Sequence, residues 1–319
     1  MRIASLLPSA TEILFALDLG PQVIAVTHEC DYPREATRLP KLTGNALPTE
    51  TASSAEIDAA VRGQLHLGAS IYHLDEHELA RLEPDLVLTQ ELCPVCAVSY
   101  TEVLRAVRVM DVGPKVLSLE PHSLDDILAT IREVAAAARI PERGMQVAAS
   151  LSKRIEAVRA KTARARKPRM LCLEWIDPPI VGGHWVPEMV EIAGGVDVLG
   201  SRQESKRVSW DEVIASRPDV IVLMPCGFDA SRAFQEYRRA RLPQGWEILS
   251  AVQSGRVYAG DASAYFARPG PRIVDGLEIL ASILHPELFA KVLITEATIQ
   301  ITPAGERPDR TGSENRPLK

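Results

Sequence analysis

Cys93 and Cys96 stand three positions apart in Thr89-Gln90-Glu91-Leu92-Cys93-Pro94-Val95-Cys96, directly after the apolar run Leu86-Val87-Leu88. Two thiols at this spacing suit three roles: a redox pair, half of a metal site, or two small buried side chains. The wider cysteine pattern favours a metal over redox chemistry. Four of the five cysteines, Cys30, Cys93, Cys96 and Cys226, fall just past the ends of predicted strands, whereas Cys172 sits inside one. Gathered in one cleft, four thiolates would hold zinc or an iron–sulfur cluster, and His28 or His184 would serve in place of one of them. Packing as small apolar residues is the competing account.

Other cleft candidates suit a flat organic ligand. Glu174-Trp175 and His184-Trp185 bring two indoles and two titratable groups close together in the sequence, a lining that holds extended ring systems. Tyr265-Phe266-Ala267-Arg268, with Arg272 beyond it, adds aromatic surface and guanidinium groups that pair with carboxylates or phosphate. His28 and Glu29 follow the second predicted strand, and Glu91 the third. No catalytic residue is assigned, since the chain has no GxSxG elbow, no HExxH and no Walker loop. Ser9, three residues before Glu12, reads as the cap of a capping box.

The elements that must position these residues alternate short apolar strands with helices, which implies parallel sheets covered on both faces. The pattern occurs twice. Leu82-Glu83-Pro84-Asp85-Leu86-Val87-Leu88 is echoed by Ser216-Arg217-Pro218-Asp219-Val220-Ile221-Val222-Leu223, and Arg2-Ile3-Ala4-Ser5-Leu6 by Arg169-Met170-Leu171-Cys172-Leu173. Two α/β lobes of similar plan follow. Between them, one helix is predicted from Ser123 to Ala138 and a second from Glu142 to about Arg166, long enough to cross from lobe to lobe. The expected division is an N-terminal lobe over 1–120, linking helices over 121–167, a C-terminal lobe over 168–290 and a polar, disordered tail over 291–319.

A chain of 319 residues can bury a full core without disulfides, and a formal net charge of -6 offers no basic field for nucleic acid or anionic membrane. An odd cysteine count argues against a disulfide framework and for a reducing compartment. The opening Met1-Arg2-Ile3-Ala4-Ser5-Leu6-Leu7 is too short for a signal peptide core, and no run is long enough to span a bilayer. A cytoplasmic location is therefore expected, or a periplasmic one if the start was trimmed.

The opening Leu6-Leu7-Pro8-Ser9-Ala10-Thr11-Glu12, then Asp31-Tyr32-Pro33, the two Pro-Asp strands, and Gly194-Gly195 after Glu191 occur in an order that resembles a known family over about residues 1 to 290. That family is the substrate-binding proteins of cobalamin and iron-chelate (siderophore, haem) ABC importers. The resemblance implies two Rossmann-like lobes with parallel sheets joined by a long backbone helix, the helical-backbone form of the periplasmic binding protein fold. It implies one ligand, a corrinoid or another metal-containing small molecule, held in the inter-lobe cleft. It also implies a permease partner met by a glutamate on each lobe: Glu191 on the second, and on the first Glu78, which with Glu76 flanks His77 in the expected register. The chain departs from the cobalamin binders in carrying Glu29 and Gln90 where they have aromatic residues, and in an extra segment from Leu47 to Tyr72. The leading expectation is a ligand-binding protein of this family rather than an enzyme. The alternative is a metal- or iron–sulfur-binding enzyme or cofactor-assembly protein using Cys30, Cys93, Cys96 and Cys226.

Overall fold

The computed structural model describes residues 1–45, 52–66, 71–91, 100–108, 110, 113–289 and 297–302. The chain opens with β1 (Ile3–Ser5), α1 (Pro8–Ala16), β2 (Val23–Val26), β3 (Thr43–Asn45), α2 (Ser54–His66), β4 (Tyr72–Leu74), α3 (Glu76–Leu82), β5 (Leu86–Thr89), α4 (Tyr100–Val107) and β6 (Lys115–Ser118). Two helices follow, α5 (Leu124–Ala137) and α6 (Pro141–Thr162). The second half contains β7 (Arg169–Trp175), β8 (Ile180–Val181), α7 (Val186–Ile192), β9 (Val196–Asp197), β10 (Lys206–Arg207), α8 (Trp210–Ala215) and β11 (Val220–Leu223). It closes with α9 (Ala230–Arg239), α10 (Ser250–Gln253), β12 (Val257–Gly260), α11 (Ala262–Tyr265), α12 (Ile273–Leu284) and β13 (Thr298–Ile301).

The first sheet runs β2-β1-β5-β6, all parallel. In the second sheet β9, β7, β11 and β12 repeat that plan in parallel, while β8 and β13 pair antiparallel with β7 and β12. The central strands read as unbroken apolar runs because helices cover both faces, and Val220–Leu223 is buried at every position.

The sequence repeat has a structural counterpart at the base of each sheet. Arg2 donates its backbone N–H to the Asp85 carboxylate (2.6 Å) and its guanidinium to the Leu82 carbonyl (3.0 and 2.8 Å). Arg169 does the same with Asp219 (2.9 Å) and the Ser216 carbonyl (3.3 and 2.7 Å). The residue before each proline, Glu83 and Arg217, is left-handed, at φ 41° and 45°.

Ser123 and Asp126 form a capping box that starts α5, and Pro141 in the first turn of α6 restarts the helix after Ile140. The hairpin is tight: a Cβ on Gly144 would lie 2.4 Å from the Cβ of Ala135. Helix α6 bridges the lobes. Arg143 reaches the Ala16 carbonyl (3.2 Å) and Asp18 (2.8 Å) in the first, and Arg154 reaches Asp275 (2.5 Å) and Glu278 (2.8 Å) on α12 in the second. One buried core runs through the hairpin, from Ile3 and Leu14 past Ile131 and Ile155 to Met170 and Leu280.

Two expectations are corrected. Helix α1 begins at Pro8, with Leu7 in the cap position and no side-chain cap, so Ser9 falls inside the first turn and the predicted capping box does not form. Proline's preference for the first helical position outweighs the serine signal. Second, Thr298–Ile301 is not tail: it adds strand β13 to the edge of the second sheet, four residues opposite Val257–Gly260. Its polar composition hides an edge strand, and the rest of the predicted tail beyond Thr302 lies outside the described residues. Among the described residues no helix is long and apolar enough to cross a membrane.

Candidate functional site

Ligands of parallel α/β sheets collect beyond the carboxyl ends of the strands. Here segments of the first half of the chain touch the second lobe at three places.

At the first, the loop after α11 reaches the first lobe. Arg272 forms two hydrogen bonds to the Glu12 carboxylate (2.9 and 2.6 Å) and lies over the ring of Tyr32 (4.1 Å). Arg268 pairs with Asp31 (2.5 Å) and donates to the Glu29 carbonyl (3.0 Å). Tyr265 lies beside Arg272, its ring centre 5.9 Å from the guanidinium carbon. Burial raises the Glu12 pKa despite the facing arginines. Nearby, the Tyr72 hydroxyl donates to Glu29 (3.1 Å), and His28 Nδ1 meets the Thr43 hydroxyl (2.7 Å).

At the second place, His122 from the segment between β6 and α5 faces His184, with ring centres 5.7 Å apart. The backbone of Leu124 then donates to Glu188 on α7 (2.9 Å). His184 is left-handed (φ 52°) and lies nearly parallel to Trp185, centroids 5.7 Å apart. Its Nδ1 is buried without a hydrogen-bond partner among the described residues. Desolvation first, then His122, lowers its pKa, so the ring is neutral near pH 7. Glu174 holds the turn that carries it, accepting from the Gly183 N–H (3.3 Å) and the Ser205 hydroxyl (2.5 Å). Burial pushes the Glu174 carboxyl up to about 7.

At the third place, α2 of the first lobe rests on the second. Glu236 on α9 accepts from the Ser54 N–H (2.8 Å) and hydroxyl (2.6 Å), and Trp175 donates its indole N–H to the Ser54 carbonyl (3.0 Å).

The predicted residues therefore divide. His28, Glu29, Tyr265, Arg268 and His184 lie at the contacts between strand ends. Glu91 is exposed after β5. Trp185 is buried and spends its N–H on the Phe266 carbonyl (2.9 Å), and Trp175 is committed to Ser54 and to Phe228, centroids 5.4 Å apart. Both indole N–H groups are thus engaged within the chain. Glu191 on α7 and Glu78 on α3 are surface residues, each paired with an arginine of this chain, Arg202 and Arg81.

The expected thiol cluster falls only in part within the described residues. Cys30 is buried against the Thr11 hydroxyl (3.0 Å), and burial pushes its thiol up to about 11. Cys226 is exposed, Cys172 is buried in β7, and Cys93 and Cys96 lie outside the described residues. Among the described residues no group of three or more His, Cys, Asp or Glu is placed to hold a metal ion.

Sequence reading missed His122, Ser54 and Glu236. His122 carried a signal, since it directly precedes the Ser123 cap of a helix that leaves a strand end. Ser54 and Glu236, 182 positions apart, carried none.

A family model described as periplasmic binding protein matches residues 3–264. A vitamin B12-binding protein of Vibrio cholerae is 24% identical over 288 residues, covering 89% of this chain and 88% of that protein. An ABC transporter substrate-binding lipoprotein of Bacillus subtilis is 23% identical over 295 residues, covering 90% and 81%. Among solved structures, a periplasmic haem-binding protein from Roseiflexus sp. RS-1 in apo form superposes with a TM-score of 0.67 at 26% identity, covering 89% of this chain and 98% of that one.

Proposed function

The chain belongs to the periplasmic binding protein family, and from that premise we propose that it holds a flat metal chelate, a haem or a corrinoid, between its lobes. The observation that carries this reading is the meeting of His122, in the segment after β6, with His184 of the second lobe, whose Nδ1 is buried without a partner among the described residues. Two imidazoles are too few to hold a bare metal ion. They would suit a metal already held by a macrocycle, to which a neutral ring nitrogen would supply a ligand. Arg268 and Arg272 stand where the same lobes meet, already paired with Asp31 and Glu12. The names of the relatives support the same ligand class.

With this reading goes delivery to an ABC permease, with Glu191 and Glu78 exchanging Arg202 and Arg81 for cationic groups of the partner. An extracytoplasmic location fits that role; the cytoplasmic expectation has no support in this family.

Haemin and hydroxocobalamin, titrated separately into the wild type and His184→Ala, test the proposal by visible absorbance and tryptophan quenching. The expected result is a saturable spectral shift with one of the two, weakened about tenfold (roughly 1.4 kcal/mol) or more in the variant. No binding of either, or equal spectra and affinity in both proteins, overturns it.

A further inference from the structure

Helix α2 belongs by sequence to the first lobe but packs as part of the second. In sequence it stands between β3, whose Thr43 meets His28, and β4, whose Tyr72 touches Glu29. Between these points it lies at the carboxyl end of the second sheet. One stripe of the helix, Ser54, Ile57, Asp58 and Val61, follows the three-and-four spacing of a single face. Ile57 is buried in the second-lobe core with Leu173 and Phe228, and Val61 packs against the same cluster. Asp58 pairs with Arg207 on β10 (2.9 Å). At the N-terminus a carboxylate from another element does the capping: Glu236, only 5% exposed, takes both the N–H and the hydroxyl of Ser54. A charge at the positive end of a helix, fully hydrogen-bonded, is a strong anchor.

We propose that α2 is a strap belonging by sequence to the first lobe that clips to the second through Glu236 and opens as a unit separate from either lobe. The strap stands on these contacts alone; only the statement that it guards a chelate rests on the proposed function. A strap of this kind sets which ligands enter. It must lift for a wide macrocycle and reseat behind it, and Trp175, which holds the Ser54 carbonyl, faces the same end of the sheet.

Hydrogen exchange on the full chain decides it. In the wild type, amides of residues 54–66 are expected to be protected; in Glu236→Ala they exchange about tenfold faster or more, while β7 and β11 keep their wild-type rates. Ser54→Ala, which removes one of the two bonds, gives a smaller increase in the same segment and serves if Glu236→Ala does not fold. Haemin capture by stopped flow is expected to be faster in either variant that folds. Exchange of α2 at unfolded-chain rates in the wild type, or unchanged α2 exchange in the folded variants, overturns the strap. Failure of haemin and hydroxocobalamin to bind the wild type would instead remove the chelate reading and leave the exchange comparison to judge the strap.

Discussion

Glu12 and Arg272 join the two lobes through a bidentate pair in which the carboxylate side chain is 2% exposed and the guanidinium side chain 16%. The residue that sequence reading set in a capping box thus faces across the cleft. The pair is enclosed further by Tyr32 over the guanidinium and by Gly270, where a Cβ would lie 3.4 Å from the Glu12 carboxylate. Such a pair specifies how the lobes meet more than it stabilises them, because desolvation consumes most of the attraction.

Removing one partner should therefore be far worse than replacing both. Arg272→Ala is expected to cost about 3–5 kcal/mol by leaving a buried carboxylate alone, whereas Glu12→Leu with Arg272→Met costs much less. Urea unfolding of the three proteins makes the comparison. Equal losses in the single and double variants would show that the lobes do not depend on the charge pair.

Glu174 should make stability fall with rising pH. Its folded carboxyl titrates at about 7 against roughly 4.3 in an unfolded chain. Between these values the folded state keeps a proton that the unfolded state has lost, so its contribution is complete below about pH 4.3 and is lost as pH rises through 7. Glu174→Gln keeps an acceptor for Gly183 and removes the titration. The stability of the variant relative to wild type should rise by about 2–3 kcal/mol between pH 5 and pH 8. A pH-independent difference in denaturant midpoints would place the Glu174 pKa near its unfolded value.

What was legible in the sequence was whatever depends on near neighbours or on repetition. The Pro-Asp echo is visible because Arg2 with Asp85 and Arg169 with Asp219 build the same base under two sheets. The α5 boundaries follow from the Ser123 capping box and the Pro141 restart. The cleft was legible only in part. Strand ends pointed to His28 and Glu29, and neighbouring aromatic and basic residues to His184 and Arg268, yet nothing local tells Glu12 that its partner is Arg272 or Ser54 that its cap is Glu236. The cysteines were not decidable locally, because a thiol after a strand reads alike whether it is a ligand or, as with Cys30, sits buried beside a hydroxyl.

Cysteine reactivity should separate along that line. With iodoacetamide at pH 8 on the folded protein, Cys226 is expected to be alkylated while Cys30 and Cys172 are spared, since both are buried and their thiols are pushed up, Cys30 to about 11. All three should react in denaturant. Peptide mass spectrometry reads the pattern, and alkylation of Cys30 as fast as Cys226 would mean that its pocket beside Thr11 opens readily.

The left-handed residues before the two Pro-Asp turns offer a test of the repeat. A non-glycine residue at φ near 40° costs about 1–2 kcal/mol, and glycine returns about 0.5–1 kcal/mol of that through its freer unfolded chain. Glu83 caps α3 in this conformation, and Arg217 occupies the equivalent place, where its carbonyl rather than its side chain meets Arg169. Neither substitution removes the hydrogen bonds of the turn. Glu83→Gly and Arg217→Gly should thus each stabilise the protein, by about 0.5–1 kcal/mol, and by similar amounts because the two turns are built alike. Urea midpoints of the single variants and the double variant check this. The double should give the sum, since the turns lie in different lobes, and loss of stability in either single would show that its turn is held by side-chain contacts the other lacks.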